Sequence, residues 1–333
     1  MEKRDNDFKT EAIEIARSFD DMGDHELADY ILSMISERNV FSPQAVEFES
    51  DYLKEVKIEN TPLPLPKEIA NDISGVINAI NHNVGINKFL FYGAPGTGKT
   101  ESVKHLARII NKHLYIVDFN SLIDSKLGET SKNISNVFNE INTISSIGDI
   151  IILFDEIDAI AMDRVNSNDL REMGRVTSTL LKELDYLSDK AILIATTNLY
   201  DKFDKALLRR FDSTINFNRY NREDLIEVAK IILESQLKIF KNAGRNVRLF
   251  TKVLNGMDKI PYPGDLKNMI KTSLAFSDPN KEYDYLVRLF KTVYPNYQEM
   301  SLSDLYDKEF TLLEMEILTN KSKSSISREL RGE

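Results

Sequence analysis

Four short apolar runs dominate the middle of this 333-residue chain and leave few architectures open. They read KFLFY (88–92), HLYIVDF (113–119), DIIILFD (149–155) and AILIATT (191–197), with segments of helical periodicity between them. A strand with one wet face alternates polar and apolar residues, and these runs do not. Continuous apolar strands separated by helices imply a parallel sheet covered on both faces. After about Asn221 the strands cease. Asn221 and Asp224 are placed to cap a helix whose Leu225, Val228, Ala229 and Ile232 share one face, and further helices follow. The expected fold is an α/β core over residues 67–220 followed by a helical lid over 221–298.

The flanks read differently. Over residues 1–40, Ala12, Ile15, Ala16 and Phe19 fall at helical spacing, as do Leu27, Tyr30, Ile31, Met34 and Ile35. Gly23 and Asp24 between them read as a helix stop and an N-cap, which makes a helical hairpin. Its apolar stripes need a cover, either this chain, another copy or an adaptor. Residues 41–66 carry Pro43, Pro62, Pro64 and Pro66 and read as a linker. A net charge of -10 argues against coating nucleic acid with the whole surface. With no cysteine and four scattered histidines, a disulfide framework or zinc site is not expected. No apolar run nears the roughly 20 residues that span a bilayer. The charged N-terminus is unlike a secretory signal, so a cytoplasmic protein without a membrane partner is expected.

The chain has 13 glycines, and three of them stand in GAPGTGKT (93–100), directly behind the first apolar run. The spacing G-x-x-x-x-G-K-[ST] is that of a phosphate-binding loop. Glycines let backbone N–H groups turn inward and approach phosphate oxygens without a Cβ in the way. A helix starting at Gly98 or Lys99 points its positive end at the same anion. The nucleotide-binding set read here is Gly93, Pro95, Gly96, Thr97, Gly98, Lys99, Thr100 and Glu101. Lys99 is expected on the β and γ phosphates of ATP, and the Thr100 hydroxyl on Mg²⁺. The run IIILFDEID (150–158) ends in carboxylates at the sheet edge where the loop also lies. Asp155 is the expected metal partner, and Glu156 is placed to orient and deprotonate water. Asn198 follows the last apolar run, where its side chain can bond that water or the γ-phosphate. Arg209 and Arg210 read either as a solvated or salt-bridged face or as two guanidinium groups for charge developing in a transition state.

In this order and spacing the pieces resemble the AAA ATPase family over residues 60–280. GAPGTGKT looks like its Walker A motif, IIILFDEID its Walker B, Asn198 its sensor 1 and LLRRFD its arginine-finger segment. PGDLKNMI (263–270) is similar to the start of its sensor 2 helix, which adds Gly264 and Lys267 to the nucleotide set. There Lys267 stands where relatives often carry arginine, so it either meets the γ-phosphate or is simply exposed. The resemblance implies Mg-dependent ATP hydrolysis by a P-loop NTPase assembled as a ring, often a hexamer. In such a ring Arg209 and Arg210 serve the ATP of the neighbouring subunit, and Arg175 lies near the subunit contact. Remodelling of a protein or nucleoprotein is the implied work, with an associated protease as one partner. Many members grip polypeptide with a pore-loop aromatic. In DSKLGET (124–130) Lys126 holds that position, and a small hydrated ammonium does not wedge between side chains as a ring does. A pore suited to acidic segments or nucleic-acid phosphates is the other reading.

The segment 299–333 stands apart. Leu312, Met315 and Leu318 mark one short helix, Thr319 to Ser322 a polar turn, and Ile326 with Leu330 a second helix. Residues 309–332 resemble a helix-turn-helix, in which Lys323, Ser324, Ser325 and Arg328 face a major groove and Lys321 or Arg331 meets phosphate. An ATP-gated DNA-binding switch is therefore the alternative function, and a helical pair packed on the lid or a partner is the bland reading.

Overall fold

The structure, a computed structural model, describes residues 11, 13–20, 50, 52–58, 64–117, 122, 129–160 and 169–332, with backbone only at 159, 160 and 169–173. Two compact units result. The first takes Ala70–Gly93 and Lys99–Asn216 with the described residues before 64; the second takes Pro64–Ile69, Ala94–Gly98 and the chain from Phe217 onward. Residues 13–20 are helical with Ala16 buried. The second helix of the expected hairpin, Pro43, Pro62 and the pore-loop Lys126 lie outside the described residues.

The first unit runs β1 (Leu53–Glu55), α1 (Lys67–His82), β2 (Lys88–Tyr92), α2 (Lys99–Ile109), β3 (His113–Val117), α3 (Glu129–Thr143), β4 (Ile150–Phe154), α4 (Asp169–Tyr186), β5 (Ile192–Thr197), α5 (Lys205–Leu208) and β6 (Ser213–Asn216). The strands form one six-stranded sheet in the order β1-β3-β4-β5-β2-β6. All neighbours are parallel except β1, which pairs antiparallel with β3. Every residue of β4 and β5 is buried, as two-sided cover requires. One face of the sheet, with Leu90, Ile152, Phe154, Leu193 and Ala195, packs on Val137, Phe138 and Ile141 of α3 and Leu180 and Leu184 of α4. The alternate residues Phe89, Phe91, Ile151, Leu153 and Ile194 are buried on the opposite face, where Val103, Leu106 and Ala107 of α2 are buried too. The parallel order puts the carboxyl ends of β2, β4 and β5 side by side, and the loops leaving those ends carry the chemistry.

The second unit is helical: α6 (Arg222–Leu237), α7 (Val247–Asn255), α8 (Pro263–Ala275), α9 (Asp284–Val293), α10 (Leu302–Asp307), α11 (Leu312–Thr319) and α12 (Lys323–Arg331). α6 opens with a reciprocal capping box, Asn221 accepting from the Asp224 amide and Asp224 from the Asn221 amide. One apolar cluster runs through Leu225, Phe250, Leu266, Leu289, Met315 and Ile326. Residues 221–298 and 299–333 thus share a core, because α11 and α12 have too little apolar surface to bury alone.

Candidate functional site

The first unit holds a dense polar cluster at the carboxyl edge of its sheet. β2 ends at Gly93, whose N–H still donates to the Thr197 carbonyl at 3.2 Å, so the loop leaves the sheet beside the end of β5. α2 then starts at Lys99, which fixes that side chain under its own first turn. The Lys99 ammonium is buried and donates at 2.8 Å to the Gly93 carbonyl and at 2.8 Å to Asn198 Oδ1. Burial pushes its pKa down, while the charges of Asp158, Asp155 and Glu156 pull it back up. Partial loss of water strengthens the pull of this ammonium on a polyanion, while the three carboxylates beside it oppose one until a further cation offsets them.

One helix residue on, Thr100 Oγ1 donates to Asp155 Oδ1 at 2.8 Å. The same carboxylate oxygen accepts from Thr196 Oγ1 at 2.6 Å, and Thr196 Oγ1 in turn accepts from the Glu156 amide at 2.9 Å. Glu156 itself is exposed and sits at φ 52, a left-handed conformation that costs a non-glycine residue about 1–2 kcal/mol. Asp158 is 6% exposed; its Oδ2 lies 3.4 Å from the Asn198 amide, and its Oδ1 has no hydrogen-bond partner among the described residues. Lys99, Thr100, Asp155, Glu156 and Asn198, all read from the sequence, are therefore brought together. Asp158 and Thr196 were not read from it. The pair of hydroxyls, Thr196 and Thr197, that ends an otherwise apolar strand was the available signal for Thr196.

The turn Ala94–Gly98 belongs to the second unit and is fastened there. The Ala94 amide donates to Asn218 Oδ1 at 2.7 Å, Thr97 Oγ1 to the Ala94 carbonyl at 2.8 Å, and the Tyr220 hydroxyl to the Thr97 carbonyl at 2.9 Å. Gly93, Gly96 and Gly98 have φ of 153°, 76° and 93°, values that side chains other than glycine rarely adopt. Gly264, at the start of α8, donates to the Gly96 carbonyl at 2.8 Å. A Cβ on Gly264 would stand 2.9 Å from the Gly96 Cα, so glycine is required for this approach. Lys267 is exposed on α8.

Arg209 and Arg210 occupy the other edge of the sheet. Because β5 and β6 are both parallel to β2, the chain must cross back to the amino edge between them. Asp212 marks the arrival: its carboxylate accepts from the amides of Asn87 and Lys88, and its own amide donates to the Lys88 carbonyl. The five-residue β2 then separates this segment from Gly93 by about 15 Å. Arg210 is bidentate on Asp185 at 3.1 and 3.0 Å and also donates to the Ala206 carbonyl. Arg209 is exposed. Arg175 is exposed on α4.

The residues fit a magnesium nucleotide. Thr100 and Asp155 offer hard oxygen donors side by side. Such a pair suits an ion that takes one or two protein oxygens and completes its shell from phosphate and water. Residues 89–219 match the model of the ATPase family associated with various cellular activities (AAA). Over those residues the chain is similar to the AAA family of ATPases. It is 38% identical over 133 residues to an uncharacterized AAA family ATPase, y4kL, of Sinorhizobium fredii, covering 40% of this chain and 39% of that one. A putative 26S proteasome regulatory subunit homolog of Methanothermobacter thermautotrophicus is 31% identical over 172 residues, 51% of this chain and 45% of the relative. The chain thus spans less than half the length of these curated relatives. In fold it is similar to the FIGL-1 AAA domain, with a TM-score of 0.54 at 14% identity, over 79% of this chain and 91% of that one. The phosphate loop leaves β2, an interior strand of the sheet flanked by β5 and β6. Among the described residues no helix is long and apolar enough to cross a membrane.

Proposed function

We propose that this AAA chain hydrolyses ATP with Mg²⁺ as a ring-forming oligomer, a hexamer by family resemblance, and uses the energy to remodel a protein or nucleoprotein. The observation that carries the reading is the convergence of Lys99, Thr100, Asp155, Glu156 and Asn198 at one sheet edge. In it the loop amides of 93–98, with Pro95 shaping the turn and Glu101 at the helix start, surround the phosphates. Lys99 meets the β and γ phosphates as a point charge. Thr100, which donates its O–H to Asp155, would with Asp155 hold magnesium, and the ion would supply positive charge against the phosphates. Glu156, exposed at the edge, accepts the proton of the water that attacks the γ-phosphorus, and Asn198 orients that water. ADP and phosphate leave. Gly264 keeps its place against the loop turn.

The finger is supplied in trans. Arg209 and Arg210 stand about 15 Å, the length of β2, from the loop of their own chain, farther than an arginine side chain reaches. Of the two, Arg209 is the better placed to reach out, being exposed, while Arg210 pairs with Asp185 in its own chain.

The test is Mg-dependent phosphate release from ATP by the purified chain, with Lys99→Ala as control. Losing a charge-assisted contact to phosphate is worth up to about 3 kcal/mol, so the variant should bind ATP about 100-fold more weakly in a fluorescent-nucleotide titration. Equal affinity would remove Lys99 from the site.

A second reading, ATP-gated DNA binding, has one observation in its favour. α11 and α12 are joined by a tight turn with Asn320 at φ 57, and Ser324, Ser325 and Arg328 are exposed on α12. Against it, Lys321 pairs with Glu329 at 2.8 Å and Lys323 with Glu316 at 3.8 Å, which neutralises half the basic residues. If Arg328 contacts a phosphate, Arg328→Ala should lower the salt dependence of duplex binding by about one counterion. Filter binding that is equally weak for both proteins at every salt concentration sinks this reading.

A further inference from the structure

We propose that Thr196 is a positioning residue for hydrolysis, one hydroxyl that anchors the Asp155 carboxylate and the Glu156 backbone at once. The inference rests on the ATPase reading above. Thr196 is 1% exposed at the end of β5, and its Oγ1 makes two bonds of opposite sense. It donates to Asp155 Oδ1 at 2.6 Å and accepts from the Glu156 amide at 2.9 Å. A hydroxyl has a single proton, so the direction of the chain is fixed: Glu156 N–H to Thr196 O–H to Asp155 Oδ1. Asp155 Oδ1 also accepts the Thr100 proton at 2.8 Å. Thr196 is thereby coupled to the metal-facing hydroxyl through a shared acceptor.

The second bond matters more. Glu156 holds a left-handed backbone at φ 52, and the bond at its amide comes from a neighbouring strand rather than from its own turn. Without that anchor the residue is free to relax toward an ordinary conformation, which swings its carboxylate off the line of attack. Valine matches threonine in shape but can neither donate nor accept, whereas serine keeps the hydroxyl and drops only a methyl. Nucleotide affinity should be indifferent to the change, because Lys99 and the loop amides hold the phosphates without Thr196.

Thr196→Val should therefore lower kcat about 30-fold while the dissociation constant for ATP stays within about threefold, and Thr196→Ser should recover most of the rate. A double-mutant cycle separates positioning from mere packing. In a Glu156→Gln background, under single-turnover conditions, Thr196→Val should slow the residual reaction by less than threefold, because the group it positions is already gone. A Val variant as fast as wild type overturns the inference and leaves the ATPase reading intact. So does a Val variant that loses ATP affinity along with rate, or one that slows the Glu156→Gln enzyme by the full factor. A wild-type chain with no Mg-dependent turnover sinks both.

Discussion

Glu156→Gln should bind ATP as tightly as wild type and turn it over at least 100-fold more slowly, leaving the assembly trapped with nucleotide. The amide matches the carboxylate in size and keeps the backbone bond from Glu156 to Thr196, so the site keeps its shape. What it loses is the ability to take a proton. General-base catalysis contributes about 10²–10⁴-fold, and none of it survives the change. The charge change also works in favour of binding, because Glu156 is one of three carboxylates whose fields reach Lys99. Nucleotide titration and phosphate release on the same preparation read the two quantities separately. Loss of affinity and rate together would mean that Glu156 holds the site's structure and is not its base. If the chain remodels a client, as proposed above, the trapped form is also the reagent with which to find it.

Which parts were legible in the sequence follows from physics. β2, β3, β4 and β5 declared themselves because a strand buried on both faces must be apolar throughout. β1 and β6 are the sheet's edges, LKE and STIN, with one buried residue each. A single buried position has no period, so residues 41–66 read as linker although three of them pair with β3. Lys99, Thr100, Asp155, Glu156 and Asn198 were legible because each follows an apolar run at a spacing that topology fixes. The anchors of the loop turn were not. Asn218 and Tyr220 reach Ala94 and Thr97 across more than 120 positions, and nothing local marks them. Thr196 is hidden differently: β-branched threonine suits a strand, so only its two partners across the sheet set its hydroxyl apart.

Adjacent arginines look equivalent in sequence, and the fold separates them. Consecutive residues after a short helix point in different directions; here Arg210 turns back on Asp185 and the Ala206 carbonyl, while Arg209 is exposed. Arg209→Ala should leave ATP affinity unchanged and cut kcat about 10³-fold, the scale on which a guanidinium stabilises a phosphoryl transition state. Arg210→Ala should cost far less, since a partly exposed pair with Asp185 is worth about 0–1 kcal/mol. Mixing subunits then decides where the finger acts. An Arg209→Ala subunit has an intact pocket and no finger; a Lys99→Ala subunit has a finger and a pocket that does not hold ATP. Each is inactive alone. Together in one ring, the Arg209→Ala pocket next to a Lys99→Ala neighbour receives an arginine, and turnover should rise well above the sum of the two preparations. Mixing that restores nothing, in rings shown to exchange subunits, would mean that the arginine acts within its own chain. That outcome would require the segment 209–212 to leave its anchor on Asn87 and Lys88, so hydrogen exchange at those two amides reports the same question independently.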